Sequence, residues 1–368
     1  MKRQWELMRK KEIEQIDYTQ IPAELNIFSR SAETEESFNA RFGDAIRKAL
    51  PNYTINYIRS QEGSTIEELL VAGTIIDIYY DSIGNFADGL LANKMEYDMT
   101  SLIESKNIDL SQYEPSVVEA IRDISDGKMY GLPVYTNNLV LFYNKAIFDQ
   151  FGVEYPTDGM TWDEAHEKAL KLNRKADEVQ YLGLAVSPTH MLRMNQLSLP
   201  YVDPETGTAT INNNEKWRQL FETTMIIPAQ DPGYKEVMAN NSNRLPSRLA
   251  LHKDQYLAMY VFLSQLPFTV PELSEMDWDM VSLPTFKELP GIGSQSYPSF
   301  FSVTNMSESK EAAMEVVNYL VSKEFQLASS RTGLMPVLLD EEVQKAFGED
   351  TGYAGKNFGA VFYNKFAP

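Results

Sequence analysis

The chain has 368 residues, which at roughly 100–200 residues per domain predicts two domains or three. Its 43% hydrophobic and 11% aromatic content fills a sizeable core and excludes a disordered chain. The 52 acidic against 33 basic residues leave a formal charge of −19, which disfavours binding to phosphate backbones or anionic lipid, and the absence of cysteine excludes disulfides, thiol nucleophiles and iron–sulfur ligation.

Met1 to Lys11 read MKRQWELMRKK and are basic, but Gln4, Glu6 and Arg9 interrupt the apolar stretch that a secretory signal needs. Residues 1–20 read as a polar, partly helical lead-in outside the main core. From Ala23 short strands and helices alternate. Glu24–Phe28 reads as a strand, Thr34 as a helix N-cap, and Phe38, Phe42 and Ile46 as the apolar face of the helix that Pro51 ends. Tyr53–Ile58 is a second strand, and Ser64-x-x-Glu67 forms a capping box that opens a helix stopped by Gly73. Ile75–Tyr80 is a third strand, an apolar run of the kind buried in parallel sheets. This β-α-β-α-β start predicts an α/β fold with a doubly wound parallel sheet and ligands at the carboxyl ends of its strands.

Met129–Tyr135 and Leu139–Tyr143 read as extended, with Thr136-Asn137-Asn138 between them. Thr161-x-x-Glu164 is a capping box opening a helix to about Leu172. Asp203-Pro-Glu-Thr-Gly207 is a surface turn that lacks the register of a calcium loop. Leu283–Gly293 reads as an irregular connection and Ser307–Val321 as an amphipathic helix. No window approaches the ~20 apolar residues of a membrane span.

Enzyme signatures fail one by one. There is no Walker loop and no G-x-S-x-G elbow, and Gly291-Ile-Gly293 lacks the third glycine of a dinucleotide fingerprint. His166-Glu167 begins like a zincin motif, but Leu170 stands where the second histidine must be. With His190 and His252 the only other histidines, no metal or cofactor is implied.

Polar and aromatic residues gather at predicted strand ends. Glu33 and Thr34 follow the first strand, Tyr79, Tyr80, Asp81, Ser82 and Asn85 the third, and Tyr135, Asn137 and Asn138 lie where two strands turn. Aromatic faces suit sugar C–H surfaces, and short acids and amides suit vicinal hydroxyls. Each has a structural reading beside it: one of Tyr79 and Tyr80 faces the core, Asp81 and Asn85 cap a helix, and Asn137-Asn138 is a tight turn.

The run Asp126-Gly-Lys-Met-Tyr-Gly-Leu-Pro-Val-Tyr-Thr-Asn-Asn-Leu-Val-Leu-Phe-Tyr-Asn-Lys145 resembles the central signature of family 1 extracellular solute-binding proteins, the maltose-binding type that serves ABC importers. Gly152-Val-Glu-Tyr-Pro156, Thr161-Trp-Asp-Glu164, Leu283-Pro-Thr-Phe-Lys287 and Ala312–Val321 continue the same template in the same order, over about Ala23 to Gly348. The resemblance implies two lobes joined by a multi-strand hinge and closing on a ligand, with residues 22–136 plus 297–331 in one lobe, 137–296 plus 332–368 in the other, and 1–21 as the lead-in. It implies a monomeric, non-catalytic protein that captures a sugar or oligosaccharide for an ABC permease. It also implies an extracellular, lipid-anchored full-length form whose signal and anchor cysteine are not in this sequence.

This chain departs from that pattern where aromatic stackers are expected. Asp81-Ser-Ile-Gly-Asn85 has no aromatic, leaving Tyr80 beside it, and Tyr260-Val-Phe-Leu-Ser-Gln265 leaves Tyr260 or Phe262 in place of a tryptophan. Asn137 stands at a family glutamate position. These changes argue against maltose and retain a neutral, hydroxyl-rich ligand. By loop position His190, Arg193 and Tyr297 are second-lobe contacts, with a structural histidine and an arginine paired to an acid as the alternatives. A carbohydrate-active enzyme and a module presenting ligand to a sensor are the competing functions.

Overall fold

A computed structural model describes residues 16–31 and 33–368; the reading of residues 1–15 as a lead-in lies outside them. The early strands are β1 Ala23–Ser29, β2 Tyr53–Arg59, β3 Ile78–Ser82, β4 Leu132–Thr136, β5 Leu139–Asn144, β6 Arg174–Ala176 and β7 Val179–Val186. The later ones are β8 Leu257–Leu263, β9 Trp278–Ser282, β10 Ile292–Gln295, β11 Ser299–Val303, β12 Met335–Pro336 and β13 Lys365–Ala367. Contacts divide the chain into a first unit of Met1–Asp109, Ile121–Leu132 and Phe300–Phe325, and a second of Leu110–Ala120, Pro133–Ser299 and Gln326–Pro368.

In the first unit the strand order is β2-β1-β3-β11. β1 runs parallel to β2, from Ala23 opposite Tyr53 to Ser29 opposite Arg59, and parallel to β3 on its other side. The crossover after β1 is helical. Thr34 caps it by accepting the Ser37 N–H, and Glu35–Phe38 continues through a π turn, Asn39–Gly43, into Asp44–Ala49. Phe38, Phe42 and Ile46 are fully buried on one face, and Phe38 stacks on Tyr57 at 4.1 Å.

Three expected boundaries move, each beside a side chain that takes a hydrogen-bond partner outside its element. The capping box is Thr65 with Glu68, one residue late, since the Ser64 hydroxyl donates to the Arg59 carbonyl at the end of β2. β3 begins at Ile78 instead of Ile75, because the Asp77 carboxylate accepts the Asn26 N–H at 2.9 Å. The helix expected from Ser307 to Val321 runs Lys310–Leu320, with the Ser307 hydroxyl donating to Asp77 at 2.6 Å. Tyr79 and Tyr80 are both buried, at 0% and 2% exposure, so neither is left to face solvent. The strand is covered on both faces. Tyr79 has its hydroxyl against Gly89, where any Cβ would collide, and Tyr80 stacks on Phe301 at 4.5 Å.

The second unit contains a five-stranded sheet, β6-β7-β8-β5-β9, with β5 antiparallel to β8 and β9 and β7 parallel to β8. Leu139, Leu141 and Tyr143 of β5 enter one apolar cluster, and Val140 and Phe142 the other. Two buried faces explain the unbroken apolar run. The helix Trp162–Leu172 starts at the expected capping box, Thr161 accepting the Glu164 N–H while Glu164 accepts the Thr161 N–H. It lies so close to β7 that a Cβ on Gly183 would meet the backbone of Ala169. β4 and β5 do not pair with each other; β4 pairs antiparallel with β12, so Asn137-Asn138 is not a hairpin turn.

Thr161→Ala removes one arm of the capping box and is expected to cost about 1 kcal/mol of stability, within the usual range of about 0.5–2. Urea unfolding measures this as a lower midpoint; an unchanged midpoint would show that the box contributes nothing here.

Candidate functional site

The site candidates of the first unit belong to two hydrogen-bonded groups. Tyr80, on β3, reaches Glu33: its hydroxyl donates to Oε2 at 3.3 Å. Glu33 Oε1 accepts from the Ser37 hydroxyl at 2.6 Å and from the Arg41 guanidinium at 2.8 Å. Asp81 is the centre of the other group. It lies within β3 instead of after it, 2% exposed, with Oδ2 accepting the Arg30 N–H at 3.0 Å. Its Oδ1 accepts the Ser82 N–H at 2.8 Å and the Asn85 side-chain amide at 2.9 Å. Asn85 thus holds Asp81, and neither caps a helix, since the helix Ile83–Phe86 starts at Ser82 without a side-chain cap. Burial raises the Asp81 pKa above the ordinary carboxylate value against the pull of these donors.

In the second unit, Asn137 exchanges backbone hydrogen bonds with Tyr297, at 3.2 and 3.0 Å. Asn137 is 4% exposed, and its side-chain amide has no hydrogen-bond partner among the described residues. Its side-chain N and O are not among the enclosed atoms left without a partner, so they stay open to pairing with water or a solute. Asn138 is structural on one side: its Nδ2 donates to the Val361 carbonyl at 2.7 Å, while Oδ1 is buried without a partner. Tyr135 is buried on β4 opposite Pro336, and Tyr297 is half-buried against the apolar cluster of β5 and β7.

His190 and Arg193 sit three residues apart on the short helix Pro188–Arg193, which follows β7. His190 Nδ1 is 2.7 Å from the Ser187 hydroxyl, and its ring meets Phe262 edge-on at 4.9 Å. Burial, then the charges of Arg193 and Arg248, hold its pKa below the ordinary histidine value. Arg193 is exposed and has no acidic partner among the described residues, so the alternative of a simple ion pair does not hold. Phe262 is half-buried, stacked on Tyr260 at 5.7 Å.

Arg41, Ser187 and Arg248 were not legible as site residues. Arg41 reaches Glu33 across a helix interrupted by a π turn, and Arg248 comes from a separate helix, so no local spacing announces either.

Residues 37–355 match the family model described as bacterial extracellular solute-binding protein. Among curated proteins the chain is similar to the arabinooligosaccharide-binding protein of Bacillus subtilis, 24% identical over 55% of this chain and 46% of the relative. The chain thus spans about half the length of that relative. Among solved structures it resembles an ABC substrate-binding protein from Listeria monocytogenes in complex with cycloalternan, at 21% identity and TM-score 0.70 over 94% of this chain and 88% of that one. A sugar transporter from Rhizobium etli in an open conformation matches at 19% identity and TM-score 0.72, over 93% and 88%. These structures share the α/β fold of the maltose-type, type II binding proteins.

The raised pKa of Asp81 sets a pH dependence. A carboxyl that holds its proton more tightly when folded stabilises most at acidic pH, and that contribution is lost as pH rises through the folded value. Asp81→Asn keeps an acceptor without the charge, so the variant's stability relative to wild type is expected to improve from mildly acidic to neutral pH. Urea midpoints across that range check this; a difference that does not change with pH would contradict it.

Proposed function

We propose, for a chain that belongs to the bacterial extracellular solute-binding protein family, that it captures a sugar or oligosaccharide and passes it to an ABC-type membrane permease without converting it. The observation that carries this reading is Asn137: a side-chain amide that has no hydrogen-bond partner among the described residues and stays open to a solute, beside a half-buried tyrosine, Tyr297. Paired donors and acceptors next to an aromatic face match a sugar ring, whose hydroxyls need partners and whose C–H surface needs an apolar neighbour. Phe262 supplies a second such face, and His190 a neutral imidazole beside it.

In the first unit Glu33, Arg41 and Tyr80, and separately Asp81 and Asn85, are already bonded to one another. Groups fixed before the ligand arrives lose little conformational freedom on binding. The saccharides named for the Bacillus relative and for the Listeria structure support the ligand class. In this reading the protein is a monomer outside the cell, lipid-anchored in its full-length form. The lobes implied by the resemblance close on the ligand, and the permease's transmembrane subunits receive it.

Thermal unfolding against a carbohydrate panel tests the ligand class. A ligand that binds only the folded state stabilises it by RT ln(1 + [L]/Kd), about 2.7 kcal/mol at a hundredfold excess over Kd. At least one oligosaccharide is expected to raise the melting temperature, and Asn137→Ala to weaken its binding by about tenfold or more at a nearly unchanged melting temperature of the free protein. A panel without any stabilising sugar removes the proposal; turnover of a chromogenic glycoside would favour the enzyme instead.

A further inference from the structure

We propose that the face of the second unit formed by Ser187, His190, Arg193, Arg248, Tyr260 and Phe262 selects a sugar that carries an anionic substituent, a carboxylate or an ester of sulfate or phosphate. The inference rests on the capture reading and names the ligand class more narrowly. Its starting point is the charge of the chain. Of the described arginines, Arg30, Arg122, Arg174 and Arg244 form no ion pair, while Arg41, Arg47, Arg218 and Arg331 each have a carboxylate partner. Arg193 and Arg248 do not: among the described residues neither guanidinium has an ion pair or a hydrogen bond, and both are exposed.

The fold nevertheless brings them to the same histidine. Arg193 lies three residues beyond His190 on the helix Pro188–Arg193, which places the two on one face. Arg248 opens the helix Arg248–His252, which packs on β8, and its backbone reaches the Tyr260 hydroxyl. Tyr260 stacks on Phe262, and Phe262 meets the His190 ring at 4.9 Å. Both arginine charges bear on His190, where no carboxylate of the described residues opposes them, while Glu272 and Asp254 bear with Arg248 on His252. Two cations held near one imidazole without an acid repel each other and keep that imidazole neutral. An arriving anion removes the repulsion and gains charge-assisted hydrogen bonds from guanidinium forks suited to carboxylate and sulfate oxygens.

The rest of the face suits a sugar. The bond to Ser187 occupies His190 Nδ1 and leaves Nε2 for the ligand, as donor or acceptor according to the tautomer. The half-buried ring of Phe262 offers an apolar surface for sugar C–H groups. His190 and Arg193 are then specificity groups for charge, alongside Asn137 for hydroxyls.

Calorimetric titration with matched pairs decides it: trigalacturonate against its methyl ester, a sulfated disaccharide against the unsulfated one, and a panel of neutral oligosaccharides. The acidic member of at least one pair is expected to bind about tenfold or more tightly than its neutral partner, with the advantage shrinking as salt is raised. The pair that shows the advantage tells carboxylate from sulfate. Arg193→Gln and Arg248→Gln are each expected to abolish most of the advantage, read as the ratio of acidic to neutral affinity within each variant. Melting temperatures of both variants check that they fold. Binding confined to neutral sugars, or a charge preference untouched by both variants, overturns the inference and leaves the capture reading standing. No binding by any member of the panel overturns both.

Discussion

Two consecutive peptide groups, at Asn137 and Asn138, set much of the second unit. They join β4 and β5, which are buried and pair with different strands, so the chain cannot rely on a hairpin to satisfy its backbone there. Each group finds its partner elsewhere. Asn137 exchanges both bonds with Tyr297, the Asn138 carbonyl accepts the Ser264 N–H at 2.9 Å, and the Leu139 N–H donates to the Ser294 hydroxyl at 3.0 Å. Segments far apart in sequence are thereby tied to one dipeptide. Asparagine fits because its side chain adds a donor, used by Asn138 to hold Val361 and left unpaired in Asn137. The same constraint that orders the backbone thus leaves one polar side chain without a partner among the described residues.

The first unit solves a related problem with acids in place of amides. Asp77 and Asp81, four residues apart, stand one just before the buried strand β3 and one within it. Asp77 accepts from Asn26 and Ser307, and Asp81 from Arg30, Ser82 and Asn85. A buried carboxylate is tolerated only when its oxygens are bonded, and here backbone N–H groups supply much of that bonding. The price is a raised Asp81 pKa, the sign that desolvation still outweighs the donors. Between the two acids, Tyr79 and Tyr80 fill opposite faces of the strand, so no residue of this segment is free to move independently of the core.

Electrostatics separates the two sets of candidates. Glu33 has its cation in Arg41, a partly buried pair at 2.8 Å, so that group is locally balanced. The face around His190 is not, because among the described residues its two arginines form no ion pair although the chain carries a charge of −19. Net charge says little about such a site: it averages over a surface, whereas recognition depends on which charges the fold leaves without partners.

Local physics determined what the sequence could show by itself. Capping at Thr161, the buried helix face of Phe38, Phe42 and Ile46, the parallel start, and the family signature from Asp126 to Lys145 all depend on residues within a few positions of one another. One boundary went astray where a distant side chain intervened, as Ser307 does at Asp77, because periodicity carries no record of a partner 230 residues away. The site divides in the same way. Asn137 and His190 were legible as polar residues at strand ends, and Asp81 as a polar residue beside one. Only the tertiary structure decided that Asp81 is held by Asn85, that Glu33 belongs with Arg41, and that, among the described residues, the Asn137 side chain has no partner and Arg193 and Arg248 form no ion pair beside His190. Hydrogen-bond satisfaction and charge pairing are properties of neighbours in space, and folding chooses those neighbours through the burial of apolar surface that the polar residues do not themselves encode.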